Sequence, residues 1–191
     1  MSNLGCTRTE GVVMSEPIRP SKFAHIVLRT RRYEEMIQWW STFLGGFVRM
    51  RTDYLAFLSY DDEHHRVAII GLPHLADPTP DAVGLDHFAY SFSSLDDLFG
   101  KYDEMCAIGS APYWTINHGM TLSAYYRDPD GNQVETQVDS MSMTDADALM
   151  RSPGFFDNPI GANVDFPELI ARYRAGAPAS EIFDTRLTGS K

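Results

Sequence analysis

Two histidines and one glutamate carry the chemistry most readily read from this chain: His25, His87 and Glu135. His25 and His87 stand 62 positions apart, and the same offset relates Tyr33 to Leu95, Met36 to Leu98, Ile37 to Phe99 and Trp40 to Tyr102. It also relates Phe43 to Met105 and Leu44 to Cys106. Every member of these latter pairs is apolar or aromatic, so the chain contains an internal duplication and the two histidines hold equivalent places in it. Glu135 follows the turn Pro129-Asp130-Gly131, in an alternation that puts Gln133, Glu135 and Gln137 on one strand face and Val134, Thr136 and Val138 on the other. A carboxylate in mid-strand requires a partner, because an unpaired buried charge is costly. Two imidazoles and one carboxylate with coordination positions left open form the ligand set of non-haem Fe(II) oxygen chemistry. Zn(II) and Mn(II) accept the same donors, so ligand type does not settle the metal.

Periodicity supplies the elements that must position these groups. It predicts a strand over 23–29 carrying His25, then a helix with Tyr33, Met36, Ile37, Trp40, Phe43 and Leu44 on one face. Thr30 is the expected cap of that helix and Gly45-Gly46 its end. Strands are predicted over 47–51, 54–60 and 65–70, before a Pro-, Asp- and Ala-rich stretch over 72–84. The pattern then restarts: a strand over 85–92 with His87, a cap at Ser93-Ser94, a helix from Leu95 to near Gly109, and strands over 113–116, 121–127 and 132–138. The fold class is therefore α+β: two βαβββ modules, over 22–75 and 84–140, paired about a pseudo-twofold axis into an open, barrel-like metal cleft. An arm over 1–21, a linker over 76–83 and a helical arm over 141–191 complete the chain. In the last, helices are expected over 141–151, capped by Thr144 and broken by Pro153-Gly154, and over 166–174. In each module the helix covers one sheet face, so the histidines, on the other face, meet in the cleft.

Composition narrows the classes of function. The chain has 191 residues and a formal charge of −10 with no basic cluster, which excludes nucleic acid as an expected partner. No apolar run approaches the roughly 20 residues that cross a bilayer, and the first twenty residues lack the apolar core of a secretory signal, so no membrane partner is expected and the cytoplasm is the default location. Cys6 and Cys106 make neither a disulfide framework nor a CxxC metal motif.

Over about 22–140 the chain resembles the vicinal oxygen chelate superfamily, which holds glyoxalase I, bleomycin resistance proteins and type I extradiol ring-cleaving dioxygenases. The dioxygenases are the most similar. His118-Gly119, Tyr125, Asp128-Pro129-Asp130-Gly131-Asn132 and Glu135 resemble their signature around the third ligand, and Glu63-His64-His65-Arg66-Val67-Ala68 resembles the stretch with their catalytic histidine. The resemblance implies His25, His87 and Glu135 as metal ligands, Fe(II) as the metal, His65 as the acid/base and Tyr125 as the hydroxyl that orients the substrate oxygens. His118 is read as a supporting donor in the same site. His64 is expected to face away from His65, and His74 to face solvent. The implied reaction is cleavage of a catechol-like aromatic by O2, with a small aromatic substrate and a homodimeric assembly. Two other readings use the same scaffold: a metal-dependent isomerase or lyase of the glyoxalase type, and a non-enzymatic protein that sequesters small molecules. Glyoxalase-type relatives place a fourth ligand, a carboxylate, on the last strand of the first module. That slot falls here among Val67, Ala68, Ile69 and Ile70, which favours three ligands and open coordination.

Overall fold

In a computed structural model, residues 16–77, 79 and 82–184 are described. Most of the N-terminal arm, with Cys6, part of the linker and the end of the C-terminal arm lie outside them. The first strand, β1 (Ile26–Thr30), sends Ile26 and Leu28 into the core and leaves Val27 and Arg29 exposed, as alternation requires. Helix α1 (Tyr33–Leu44) buries Met36, Ile37, Trp39, Trp40 and Phe43 and carries Glu34 and Glu35 in its first turn, where the helix dipole favours negative charge. Gly45 ends it in the left-handed region at φ 58, its N–H turned back to the Ser41 and Thr42 carbonyls. Arg32, rather than Thr30, occupies the N-cap. Thr30 lies two residues further back, and its hydroxyl accepts the Arg32 N–H at 2.7 Å, which tightens the strand-to-helix turn instead.

Strands β2 (Phe47–Arg51), β3 (Leu55–Ser59) and β4 (Val67–Gly71) complete a four-stranded sheet in the order β1-β4-β3-β2, with β1 and β4 parallel. The second module repeats this plan with β5 (His87–Ser91), α2 (Leu95–Ala107), β6 (Trp114–Asn117), β7 (Thr121–Arg127) and β8 (Gln133–Asp139). Its order is β5-β8-β7-β6, and a two-residue strand, β9 (Ala162–Asn163), pairs with the free edge of β6. As expected, Ser94 caps α2, its hydroxyl accepting the Asp97 N–H at 3.1 Å.

The two modules share one core. Trp40 and Phe43 of α1 reach past their own sheet to Phe88 and Tyr90 on β5 and to Tyr126 on β7, with ring centroids 5.6–6.3 Å apart. Trp40 is fully buried, and replacing such a side chain by alanine costs roughly 3–5 kcal/mol. Buried Lys101 of α2 donates to the Thr42 carbonyl at 2.9 Å, a second donor beside the Gly45 N–H in the last turn of α1. The packing fixes how β1 and β5 lie. The start of β1 shares a cavity of about 450 Å³ with Tyr90 and Phe92 at the end of β5. Beyond its other end, Arg32 donates to the Pro129 carbonyl at 2.7 Å, beside the start of β8, whose Gln133 pairs with His87. β1 and β5 are edge strands of two separate sheets, with no ladder between them.

After β8, Ser142 caps α3 (Met143–Met150), its hydroxyl accepting the Asp145 N–H at 3.2 Å, in place of the expected Thr144. Pro153 opens a short helix, α4 (Pro153–Asp157), rather than only ending α3, because a proline at the first helical positions lacks no bond the helix needs. Phe155 is half-buried there and Phe156 is exposed. Helix α5 (Phe166–Arg174) packs Phe166 and Tyr173 on Phe99 of α2, and α6 (Ala179–Ile182) follows. Among the described residues, no helix is long and apolar enough to cross a membrane.

Candidate active site and metal centre

The β7–β8 hairpin is set by its turn. Asp128 turns its carboxylate inward to accept the Asp130 N–H at 3.0 Å, the Asn132 N–H at 2.9 Å, the Asn132 side-chain amide at 2.8 Å and the Trp40 indole N–H at 3.2 Å. Gly131 closes the reversal at φ 87, where a side chain would be strained. Burial pushes the Asp128 carboxyl above the usual range, against the pull of these donors. The turn fixes the pairing of Tyr125 with Glu135 directly across the hairpin.

Glu135 is buried, and its Oε2 lies 3.2 Å from Nε2 of His87 on the neighbouring strand. The other ring nitrogen of His87 is 2.5 Å from Asp86, which aims the imidazole at Glu135. His118 completes this group, with Nε2 3.1 Å from the Tyr125 hydroxyl and 3.9 Å from Glu135. Its Nδ1 is 2.5 Å from the Ile160 carbonyl, a contact that requires a proton on Nδ1 and leaves the Nε2 lone pair facing Tyr125. Trp114 stacks on Tyr125 with centroids 4.7 Å apart, and its indole N–H donates to Asn163 on β9 at 2.8 Å. Burial first, and then the Glu135 charge, hold the Tyr125 phenol far above its ordinary value, so it acts as a proton carrier and not as an anion.

His25 and His65 form a second group in the first module. Their ring centroids are 4.2 Å apart, and His65 also stacks on Phe57 at 4.2 Å. His64 does not face away: its Nδ1 is 2.6 Å from Nδ1 of His65 and its ring is 6.0 Å from His25. Both residues sit in the turn before β4 rather than in a strand, so strand alternation does not apply to them. Desolvation, and then the neighbouring His25 and His64, lower the pKa of His65, which keeps it neutral and able to take a proton near neutral pH. His74 is exposed, as expected.

The two groups lie apart. Among the described residues, no three His, Cys, Asp or Glu side chains are disposed to hold one ion. Between His87 and Glu135 the donors do suit a divalent metal: an imidazole oriented through its second nitrogen and a carboxylate on the same sheet face.

Strand pairing also locates the counterpart of Glu135 in the first module. Val134 pairs with Phe88 and Val67 with Ile26, the residues after the two equivalent histidines. Glu135 and Ala68 are thus the next pair in each ladder, and the expected carboxylate slot holds a methyl group, 3% exposed. From sequence, Asp86 is not singled out as a site residue, and Trp114 is named only as a candidate pocket wall. An acidic residue directly before His87 was the available signal for Asp86; Trp114 reaches Tyr125 only through sheet pairing, which leaves no local trace.

Beside Tyr125, Glu135 and His118 opens a cavity of about 330 Å³ whose far wall comes from Met141, Met143 and Met150.

Residues 22–136 match the Glyoxalase family, described as the Glyoxalase/Bleomycin resistance protein/Dioxygenase superfamily. The chain is 44% identical over 164 residues to biphenyl-2,3-diol 1,2-dioxygenase 2 of Rhodococcus globerulus, covering 84% of this chain and 86% of that protein. It is 39% identical, with the same coverage, to biphenyl-2,3-diol 1,2-dioxygenase 3 of the same organism. Among solved structures, a glyoxalase/dioxygenase from Nostoc punctiforme is similar with a TM-score of 0.54 and 18% identity, over 66% of this chain and 98% of that one. A glyoxylase/bleomycin resistance protein/dioxygenase domain from Frankia sp. EAN1pec is similar with a TM-score of 0.53 and 20% identity, over 63% and 99%. These two likenesses concern the fold.

Proposed function

Since the chain belongs to the glyoxalase/bleomycin resistance protein/dioxygenase superfamily, we propose that it is an extradiol dioxygenase that opens the ring of a catechol-like aromatic with O2. The observation that carries this reading is the His87–Glu135 pair with Tyr125 and His118 grouped around it. In the reaction, the ring C–C bond beside one of the two hydroxylated carbons breaks and both atoms of O2 enter the product.

His87 and Glu135 would hold Fe(II), with His25 as the third ligand. The metal would lower the pKa of the catechol hydroxyls and bring the two reactants together, leaving the protein to orient them and move protons. Tyr125, protonated and held by the Trp114 stack, donates its one proton to His118 in the free protein and would turn it to a substrate oxygen when the substrate is bound. His65, neutral by burial, takes and returns a proton. Ala68 in the second carboxylate position disfavours the four-ligand isomerase reading.

His25 and His65 form a group of their own and, among the described residues, complete no three-ligand cluster with His87 and Glu135, so we assign the working protein as a homodimer in which the first module of one copy faces the second module of the other. Val27, 50% exposed, and Ala89 and Ser91 leave both cleft faces open to such a partner.

The test is oxygen uptake by anaerobically Fe(II)-loaded protein with catechol and biphenyl-2,3-diol. Uptake matched mole for mole by ring-opened product is expected. Protein that carries Fe(II) and consumes no O2 with any catechol overturns the proposal.

A further inference from the structure

The turn between β3 and β4 joins three acid–base groups in one string. Glu63, His64 and His65 are consecutive, and their side chains meet end to end. Nε2 of His64 lies 3.4 Å from Oε1 of Glu63, and Nδ1 of His64 lies 2.6 Å from Nδ1 of His65. The turn itself is tied down. Arg49 donates to the Glu63 carbonyl at 3.1 Å, the Ser59 hydroxyl donates to the same carbonyl at 3.0 Å, and the Glu63 N–H donates to Asp61 at 3.1 Å. The Arg66 guanidinium grips Asp61 in turn, at 2.8 and 3.0 Å.

Donors and acceptors along the string follow from its buried end. Glu63 is 9% exposed, and its pairing with Lys22 holds the carboxyl below the usual range, so it stays a carboxylate and only accepts. A neutral His64 ring facing it carries its proton on Nε2 and presents a lone pair at Nδ1. The proton between the two Nδ1 atoms, 2.6 Å apart, then comes from His65. With its proton on Nε2 instead, His65 would either meet the His64 lone pair with its own or force that lone pair onto the Glu63 carboxylate, and both arrangements are repulsive. Desolvation keeps His65 neutral, and a neutral imidazole holds one proton, so its Nε2 is left bare. The stack on Phe57, at an interplanar angle of 9°, fixes the plane of this ring but not which edge points where. The contact with His64 makes that choice.

Resting on the ring-cleavage reading, we propose that Glu63 and His64 are positioning residues, which hold His65 with its proton on Nδ1 and its Nε2 lone pair free to accept a proton in the reaction. A base whose far nitrogen is hydrogen-bonded keeps one tautomer and one orientation, and a carboxylate at the end of the string favours the imidazolium that forms when the base takes its proton. Neither residue touches the substrate; both act through His65.

The experiment compares wild type, His64→Phe and His64→Asn. Phenylalanine keeps a flat ring and removes the acceptor, whereas the Oδ1 of asparagine stands where Nδ1 stood. His64 is exposed, so neither substitution disturbs the core. Long-range 1H–15N spectra of histidine-labelled, metal-free protein are recorded at about pH 8, above the roughly 6.5 at which histidine ordinarily titrates. Wild type is expected to show His65 protonated on Nδ1, His64→Asn to keep that pattern, and His64→Phe to move the proton to Nε2. With Fe(II) loaded, His64→Phe is expected to lose about tenfold in kcat with KM little changed, and His64→Asn to recover most of that loss. Wild-type His65 protonated on Nε2 overturns the proposal. So does a His65 spectrum unchanged in His64→Phe, or a kcat that falls equally in both variants. Nδ1 protonation in wild type with no O2 consumed by any of the three proteins would sink the ring-cleavage reading and leave the Glu63–His64–His65 string standing.

Discussion

His87 and Glu135 face each other across parallel strands with Nε2 3.2 Å from Oε2, although the residue that Glu135 pairs with is Ala89. The two-residue stagger keeps both side chains on one sheet face, and the pitch of the ladder brings them to hydrogen-bond distance. Such a contact in the free protein is what a divalent ion would replace.

Removing one side of that contact should therefore release metal. Glu135→Ala is expected to retain less than about a tenth of the wild-type iron, whereas His65→Ala should keep its iron and lose about 100-fold or more in kcat. Elemental analysis beside oxygen uptake separates the two. Equal iron loss in both variants would make His65 a ligand.

Tyr125→Phe removes one hydroxyl while the Trp114 stack holds the ring in place. We expect kcat to fall roughly 10- to 100-fold with KM little changed. A variant with unaltered kcat would reduce Tyr125 to a packing residue.

The division of the site between modules can be read by complementation. His25→Ala and Glu135→Ala are each expected to be inactive alone. When the two are mixed and allowed to exchange subunits, one of the two clefts in each mixed dimer recovers both groups. About a quarter of wild-type activity and iron should return, since half the dimers are mixed. No recovery from chains shown to exchange would place a complete site within one chain.

Asp128 anchors the turn with four donors aimed at its carboxylate. Asp128→Ala should leave those donors unanswered and lower stability by about 2–3 kcal/mol, as a shift in the denaturant midpoint. A shift below about 0.5 kcal/mol would mean that the hairpin closes without it.

Acid stability has an identifiable contributor in Asp61, whose carboxylate accepts from the Arg66 guanidinium at 2.8 Å and is held below the ordinary value of 3.8 by that bond. The native state thus binds this proton less readily than the unfolded chain. The stabilisation is complete above about pH 4 and drains away as pH falls through the lower native value. Asp61→Asn should flatten the acid limb of a stability-versus-pH curve and leave its slope near neutrality unchanged. An unaltered acid limb would assign the loss to other carboxylates.

Much of this was legible in the sequence because duplication and alternation are local signals. The 62-residue offset found both helices and the equivalent histidines, and Pro129-Asp130-Gly131 located the hairpin that carries Glu135. Faces could be read; the docking of the modules could not. Periodicity says that His25 and His87 look away from their helices, but the packing between modules runs through Trp40 on Phe88 and Phe43 on Tyr90, long-range contacts with no local trace. His64 was misplaced because the strand begins at Val67 rather than at His65. Thr144 and Ser142 are equally good caps by type, and Ser142 stands at the true end of α3. Two residues of β9 are too few to leave a periodic trace.

The methyl group of Ala68 sits where symmetry would put a second carboxylate. Two copies of a module need not keep the same side chain at matching places, and here the ladder position that holds an acid in one copy holds a methyl group in the other. Under the ring-cleavage reading, a chemistry that must admit two reactants at once would depend on a vacancy, and the missing acid would supply it. The two repeats are thus read best as unequal heirs, one keeping the carboxylate and the other keeping the room.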